Sequence, residues 1–345
     1  MTITDNVIKT LIEPDFYRYI SRDSKTKPSA VETLQDLYNA INFTRDRRHI
    51  PVALFFFFNV GIGLIFVIHL ACYATLASII FMSLSTCFLG TIFNTVWYHR
   101  YCSHRAFKFC GRWPTTVFLW TNPLLFREEC YAIPHKIHHR LTEQFGDPYG
   151  PHLGWLASFL SSELTQRINT EISEQEFDRL KRSIRHIGLA ENSFADFKRT
   201  GSIDGIAHYI ARTTLAQGLW ASLAYSVGGI AILTAWYGSI FVILLLIRDF
   251  NWRGHGGNKP RPEITGGEFN NRSYALNQHF YGYLASEWHD NHHRYPLSAN
   301  NAFTSGQFDL AFQIIKFLSL IGLVESYIDT RHEFARQCAT SNKST

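Results

Sequence analysis

Histidine is the residue type in this sequence whose number and spacing indicate chemistry. The chain has 345 residues and 16 histidines, and nine of these fall into four short clusters. The clusters are HRYCSH at 99–104, HKIHH at 135–139, NWRGH at 251–255 and HDNHH at 289–293. Imidazole is a common ligand for zinc, copper, iron and nickel. The clusters therefore predict metal binding.

Two of the clusters share the spacing HxxHH. They comprise His135, His138 and His139, and then His289, His292 and His293. On an α-helix three residues at this spacing lie within about 100° of one another, so their imidazoles can converge. His99 and His104 are five residues apart, about 140° around a regular helix. We therefore expect them to bind one metal only where a helix ends. The ninth histidine is His255, four residues after Asn251.

Nine imidazoles are too many for one metal ion, but two ions could share them at four or five each. A structural zinc site needs only four ligands, and zinc is redox-inert. The six cysteines include no CxxC pair, and two of them lie in apolar runs, which argues against a zinc knuckle, copper(I) or an iron–sulfur cluster. The composition of the clusters therefore favours two iron ions (Fe²⁺/Fe³⁺) that activate dioxygen as co-substrate.

Two long runs without Asp, Glu, Lys or Arg must position these histidines. They are 51–98 and 213–247. A helix of the first length extends about 70 Å, whereas the core of a bilayer is about 30 Å thick. Each run therefore predicts a helical hairpin, with turns near 69–74 and at Gly228 and Gly229. The predicted fold is an all-α integral membrane protein: four transmembrane helices in two hairpins, with a cytoplasmic helical cap that holds a dimetal centre.

Basic residues predict which side of the membrane the histidines occupy. They flank the first hairpin on both sides, at Arg45, Arg47 and Arg48 and at Arg100, Arg105 and Lys108, and the turn contains none. The positive-inside rule then places all four clusters on the cytoplasmic side, of a bacterial inner membrane or the endoplasmic reticulum. The last helix would start near Ile230 and extend beyond the hydrocarbon to His255, carrying Asn251 with it.

The predicted organisation has five parts. They are N-terminal cytoplasmic amphipathic helices at 1–50, hairpin 1 at 51–98, a cytoplasmic cap at 99–212 with an interfacial segment at 113–126, hairpin 2 at 213–255, and a second cap part with a C-terminal tail at 256–345. Capping boxes at Ser29/Glu32 and Ser173/Glu176 predict helix starts. We expect a loop at 258–267 and a frayed tail after Arg336. The net charge of +5 is scattered among acids, which argues against nucleic-acid binding.

The order and spacing of the four clusters, and their relation to the apolar runs, resemble the integral-membrane fatty acid desaturases of the stearoyl-CoA desaturase type. The similarity covers about residues 50–325 and extends to SHRAFK, to Asp147–Pro148 and to HHRYP. It implies a four-span, mushroom-like fold, a dimetal centre held by nine histidines, and an asparagine that contacts one metal through water. The matching positions are His99, His104, His135, His138, His139, His255, His289, His292, His293 and Asn251.

The resemblance also implies partners. The substrate would be a long-chain fatty acyl group, and the lipid bilayer would surround the spans. No dinucleotide fingerprint is apparent, so two electrons would come from a separate protein such as ferredoxin or cytochrome b5, fed by a reductase. The chain departs from the usual family pattern before the second cluster, at 131–134, before the third, at 285–286, and after Asp147–Pro148.

Three other functions remain open on the sequence alone. A hydroxylase or an oxidative decarboxylase of fatty chains could use the same di-iron platform. A metal transporter without enzymatic activity is a rival from another class, although transporter sites usually lie near the membrane midplane. A bis-histidine haem protein would need fewer histidines than this chain has.

Overall fold

The computed structural model describes residues 27–142, 147–255, 257, 288–304 and 306–341, and these residues are mostly helical. The α-helices are α1 Ala30–Ile41, α2 Ile50–Ile68, α3 Leu76–Phe88, α4 Trp113–Thr121, α5 Glu128–Leu141, α6 Trp155–Phe159, α7 Ser161–Leu164, α8 Glu174–Ile184, α9 Phe194–Thr200, α10 Ile206–Arg253, α11 His289–Arg294, α12 Leu310–Leu320 and α13 Arg331–Ser341. Two π-helices, His69–Tyr73 and Leu89–Ser103, and three short 3₁₀ turns, Arg47–His49, Pro151–Leu153 and Arg185–Ile187, complete the helical part. The strands β1 Phe107–Phe109 and β2 Val324–Tyr327 pair antiparallel.

Three helical stretches among the described residues are long and apolar enough to cross a membrane. They are Arg47–Tyr73, Leu76–Ser103 and Ile206–Arg253. The first two are separated at Ala74 and Thr75, where the backbone is extended and the Thr75 hydroxyl caps α3 by accepting a hydrogen bond from the Ser78 amide. The turn predicted near 69–74 is therefore confirmed.

The third stretch, α10, contains two helical limbs joined at Gly228 and Gly229, both of which have non-helical backbone angles. The rings of Trp220 and Trp236 stack with their centroids 4.8 Å apart. A straight helix would separate residues sixteen positions apart by about 24 Å, so the chain must reverse between them. The predicted turn at the two glycines is therefore confirmed, and the limbs pack side by side.

The helix ends within the first histidine cluster, at Ser103, as the spacing of His99 and His104 predicts, but its last turns are not α-helical. It widens into the π-helix Leu89–Ser103, whose hydrogen bonds join residues five apart. The last of these runs from the His104 amide to the His99 carbonyl, at 3.2 Å. A π-helix of this length is uncommon, and π-helical turns occur frequently at functional sites.

Outside the apolar stretches, both predicted capping boxes are confirmed, at the starts of α1 and α8. The tail is helical as far as Ser341, so the expectation of a frayed end after Arg336 was wrong. Phe334 of α13 stacks on Phe303 with ring centroids 5.3 Å apart, and this contact gives the helix a surface to pack on. The predicted loop at 258–267 and residues 1–26 lie outside the described residues.

Buried ion pairs fix α5, the helix that carries the second histidine cluster. Arg212 of α10 donates to the Glu128 carboxylate at 2.7 Å and also pairs with Asp204. Arg127, the residue before Glu128, donates to Glu129 at 3.0 Å. The five side chains of these ion pairs are almost fully buried. Because removing one partner would leave an unpaired buried charge, such pairs resist rearrangement. They anchor the start of α5 to the neighbouring chain segments.

The turn at Gly228–Gly229 gives a stability prediction. Gly229 has φ +61°, which side chains rarely adopt, yet an added Cβ would meet nothing within 4 Å. Gly229→Ala should therefore destabilise the protein by about 1–3 kcal/mol through backbone strain alone. Thermal unfolding of the purified chain in detergent measures the change.

Gly218→Ala is the matched control. An added Cβ at Gly218 also meets nothing, but this glycine lies within the first helical limb of α10. Alanine should stabilise that position by up to about 1 kcal/mol. Equal effects at the two glycines would contradict the reversal described for α10.

Candidate metal centre

All nine clustered histidines lie among the described residues, and the fold brings them to one place. Their potential ligand atoms form two groups, in each of which the atoms lie within 4.8 Å of one another. The first group contains His99, His104, His135, His139 and His292, and the second contains His138, His255, His289 and His293. Division into groups of five and four matches the number of ligands that two metal ions would share.

In the five-histidine group the Nε2 atoms form a continuous series of close approaches. The distances between successive Nε2 atoms are 2.8 Å from His99 to His292, 2.9 Å from His292 to His139, 3.1 Å from His139 to His135 and 2.9 Å from His135 to His104. Three of these atoms therefore have two Nε2 neighbours each. The five rings point their Nε2 atoms toward a common centre.

The four-histidine group has the same arrangement. His289 Nε2 lies 2.9 Å from His255 Nε2 and 3.0 Å from His293 Nε2. The fourth ring, His138, lies 4.6 Å from the His255 ring and 5.1 Å from the His293 ring, measured between centroids. Its Nε2 is buried and has no hydrogen-bond partner among the described residues. Burying a nitrogen lone pair without a partner costs free energy unless a cation binds to it.

Each of the two HxxHH motifs contributes to both groups, a division that the sequence analysis did not predict. In α5 the outer pair His135 and His139 enters the five-histidine group, whereas His138 enters the other. In α11 the outer pair His289 and His293 enters the four-histidine group, and His292 crosses to the first. The first and last histidines of each motif are four residues apart and lie one above the other on the helix, while the second histidine lies to one side of that pair. The spacing therefore links the two groups.

The first cluster depends on the π-helix. His99 and His104 would diverge by about 140° on a regular α-helix, but a π-helix brings residues five apart onto one side. Their rings accordingly lie 5.0 Å apart between centroids, in the same group. The expected helix end is confirmed, since the helix ends at Ser103 and His104 is its C-terminal cap, and the wider π-helical turns before it were not predicted.

The Nε2 contacts fit a metal better than they fit hydrogen bonding. A neutral imidazole nitrogen has one proton or one lone pair in the ring plane, so it cannot bond two Nε2 neighbours at once. Ligand nitrogens bound about 2.1 Å from one ion at right angles lie about 3.0 Å apart. The observed Nε2 separations of 2.8–3.1 Å have this magnitude. These residues therefore fit a metal ion in each group.

Burial keeps the rings in the form that binds metals. Desolvation lowers the pKa of His135, His139, His292 and His293 well below the usual value near 6.5, and neighbouring imidazoles lower it further. The pKa of His104 falls to about 3, again chiefly through burial. Neutral imidazole is the metal-binding form, so at neutral pH these rings could bind a metal without prior deprotonation.

Three side chains orient the rings from behind. Asp147 Oδ1 lies 2.8 Å from His138 Nδ1, and a carboxylate only accepts, so the proton is on Nδ1 and the lone pair is on Nε2. The Thr142 hydroxyl donates to the His138 carbonyl at 2.8 Å, so it accepts from His293 Nδ1 at 3.2 Å, with the same result. Tyr149 OH lies 2.6 Å from His135 Nδ1. All three therefore hold Nε2 toward the centre.

Sequence reasoning assigned no role to Thr142 and Tyr149, and used Asp147 only as part of a resemblance. The feature of the sequence that could have indicated a role is their position, since all three follow the second cluster within ten residues of His139. A short turn after a ligand helix can fold back on that helix. Spacing alone, however, does not show which ring each side chain would meet.

A cavity adjoins the histidines on one side. Asn251 lines it and donates through Nδ2 to Ser161 Oγ at 3.1 Å. The polar part of its wall also includes His135, His138, His255 and His289. The apolar part is formed by Phe126, Tyr131, Leu246, Ile247 and Phe250. An apolar chain bound there would lie directly against both groups.

Comparison with known proteins identifies the family that this chain matches. The chain matches the fatty acid desaturase family over residues 76–302. An sn-1 stearoyl-lipid 9-desaturase of Synechocystis sp. is 23% identical over an alignment that covers 68% of this chain and 67% of that protein. An acyl-CoA C20 Delta5-desaturase of Anemone leveillei is 24% identical, covering 74% of this chain and 77% of that protein.

A third relative is a chloroplastic palmitoyl-monogalactosyldiacylglycerol delta-7 desaturase of Arabidopsis thaliana. It is 25% identical, and the alignment covers 68% of this chain and 57% of that protein. The names of the three relatives specify different acyl carriers and different double-bond positions. The resemblance recognised in the histidine motifs is therefore confirmed as a family relationship.

The two groups predict two metal ions per folded chain. His292→Ala removes a ligand from the five-histidine group and His289→Ala removes one from the four-histidine group, so each should lower the content by about one ion. Elemental analysis of the purified chain measures this. His332→Ala, at an exposed position of α13, is the control and should retain both ions. One ion or none in the unmodified folded chain would remove the basis for a dimetal centre.

Proposed function

The chain belongs to the fatty acid desaturase family and is an oxidoreductase, and from this we propose that it is a membrane-bound di-iron enzyme that introduces a double bond into a long acyl chain. The observation that carries the proposal is the division of nine buried or half-buried histidines into two groups with convergent ligand atoms. When bound, two irons would supply the activation of dioxygen and the removal of two hydrogens from adjacent carbons. Two electrons would come from a separate donor such as ferredoxin or cytochrome b5, with its reductase.

The protein's own contribution is to position the metals and to exclude water. The nine histidines would be the ligands: His99, His104, His135, His139 and His292 for one ion, and His138, His255, His289 and His293 for the other. Asp147, Tyr149 and Thr142 would fix the ring orientations through the hydrogen bonds described above. Such outer contacts typically change metal affinity or activity by about 10–100-fold.

The apolar cavity beside Asn251 would hold the acyl chain. Phe126, Leu246 and Phe250 line it together with His138 and His289, so a chain in contact with these walls would lie next to the metals. Fixing one segment of a uniform chain near the reacting centre selects which carbons react. The names of the relatives include acyl-lipid and acyl-CoA substrates, so we propose a fatty acyl group carried on lipid or on CoA.

We propose that the four helical limbs cross the membrane as two hairpins, with both ends of each hairpin and all nine histidines on the cytoplasmic side. The three membrane-capable stretches and the reversal at Gly228–Gly229 support this arrangement. The basic residues that flank the first hairpin support the cytoplasmic location under the positive-inside rule. The membrane would be a bacterial inner membrane or the endoplasmic reticulum.

The reaction predicts a specific product. A host that expresses the chain together with an electron donor should accumulate acyl chains with one additional double bond, and only in the presence of dioxygen. Mass spectrometry of the total lipids, with and without the chain, measures this. His289→Ala provides the inactive control. Hydroxylated chains or shortened hydrocarbons as the main product would instead identify a hydroxylase or an oxidative decarboxylase.

Asn251 and His255 should have different roles. If Asn251 orients a metal-bound water, Asn251→Ala should retain both ions and lower turnover by about 10–100-fold. His255→Ala removes a proposed ligand and should lose both an ion and the activity. Ser161→Ala removes only the hydrogen-bond partner of Asn251, so we expect a smaller loss of turnover with full metal content. If the control His332→Ala has the same mild effect as Asn251→Ala and His255→Ala, then neither Asn251 nor His255 belongs to the centre.

A further inference from the structure

A second cavity, of about 1050 Å³, lies away from the metal centre, between α4, α8 and strand β1. Five basic side chains line it: Arg105, Lys108, Arg112, Arg182 and Arg185. Two acidic side chains, Glu191 and Glu325, also line it, so cations are in excess. Concentrated positive charge in a concave site favours an anionic ligand.

Three of the five cations have no side-chain partner among the described residues. Lys108 pairs with Glu325 at 2.8 Å, and Arg185 lies 3.9 Å from Glu191. In the part of the chain that the structure describes, the guanidinium groups of Arg105, Arg112 and Arg182 form no ion pair or hydrogen bond. A guanidinium group matches the geometry of a phosphate by donating two parallel hydrogen bonds. These three groups could therefore bind phosphate without breaking an existing contact.

The backbone at Arg105 is held in an unusual conformation. Its φ is +52°, and the only other described non-glycine residue with positive φ is Trp288. Two backbone hydrogen bonds fix the turn, from the Arg105 amide to Tyr101 O at 3.1 Å and from the Ala106 amide to Arg100 O at 2.8 Å. Strained backbone of this kind is retained where it positions a side chain for function. Here the positioned side chain lines the basic cavity.

The cavity lies where lipid headgroups would be. Arg105 follows Ser103 by two residues, and Ser103 ends a membrane-capable helix. On α4 the side chains of Trp113 and Val117 are 58% and 47% exposed, and Leu320, at the end of α12, is 84% exposed. Tryptophan is enriched at the membrane–water interface, and exposed apolar side chains beside basic ones are typical of surfaces that contact lipid. A soluble anion would not require these apolar neighbours.

We propose that this basic cavity binds the phosphate of an anionic phospholipid from the surrounding bilayer. Arg105, Arg112 and Arg182 hold the phosphate, and the lipid tails lie against the exposed apolar side chains of α4. The proposal rests on the proposed function only in taking Leu76–Ser103 as a membrane span. Juxtamembrane basic residues attract anionic lipids with a free energy that grows with each cation, so three arginines give a marked preference over a neutral lipid.

Native mass spectrometry of the purified, metal-loaded full chain tests this. The probes are dioleoylphosphatidylglycerol and its zwitterionic counterpart dioleoylphosphatidylcholine. The unmodified chain should retain the anionic lipid preferentially. The triple variant Arg105→Gln, Arg112→Gln and Arg182→Gln should weaken its binding by about 10–100-fold, since each cation contributes severalfold.

The control has the same change in net charge at exposed positions outside the cavity, Arg179→Gln, Lys198→Gln and Arg199→Gln, and it should bind like the unmodified chain. Equal retention of the two lipids, or equal losses in both triple variants, would overturn the proposal. Inorganic pyrophosphate distinguishes a lipid from a soluble phosphate compound. The anionic lipid should bind more tightly than pyrophosphate because its tails add contacts, and pyrophosphate that binds at least as tightly as the lipid would show that the site takes a soluble phosphate compound and that the lipid assignment is wrong.

Two further measurements separate folding and function from lipid binding. Metal content and thermal unfolding are measured on each variant, and a variant that loses either is replaced by the single substitution Arg182→Gln, on the exposed surface of α8. That variant should still weaken anionic-lipid binding severalfold, and unchanged binding would contradict the proposal. Lipid retention is measured without turnover, so a failure to form unsaturated product would reject the proposed function and leave the result on the cavity intact.

Discussion

The structure depends on one constraint: nine imidazoles must hold their ligand atoms within 4.8 Å of one another in two groups, and eight of them have an Nε2 atom about 3 Å from another Nε2. Lone pairs at this distance repel one another in the absence of a cation, and burial removes the water that would screen them. Every element that carries a histidine must therefore be fixed by other interactions. Asp147, Thr142 and Tyr149 fix individual rings through Nδ1. The scaffold fixes the helices themselves.

Buried ion pairs are the main device of that scaffold. Arg100, next to His99, donates to the Ala299 carbonyl and, at 2.7 Å, to Asp309, which ties the first cluster to the segment after the third. Arg248, which lies three residues before Asn251 in the last helical limb, pairs with Glu163. Breaking such a buried pair typically costs about 3–5 kcal/mol. The π-helix, α5 and the second limb of α10 are therefore each tied to a different part of the chain by a buried ion pair.

The separation of the two cavities allows two different contacts with lipid. The first has apolar walls and ends on the histidines, so it suits the reacting part of an acyl chain. The second is basic and lies just past the end of a membrane-capable helix, so it suits a phosphate group. His104 belongs to the five-histidine group and the adjacent Arg105 lines the basic cavity. The positive φ of Arg105 is what turns the chain from one to the other.

The sequence by itself determined the family, the turns and the nine histidines that the fold brings together. Imidazole chemistry and charge-free runs are local properties, so the four clusters and the breaks at 74–75 and Gly228–Gly229 could be predicted directly. Only the tertiary structure decided how the ligands divide. His138 and His292 enter the group opposite their neighbours because the histidine rings of α5 and α11 contact one another across the centre, which no spacing within one helix reveals. The π-helix at Leu89–Ser103 likewise depends on packing, because its wide hydrogen-bonding pattern is not intrinsically favoured, and so the convergence of His99 and His104 could not be derived from α-helical periodicity.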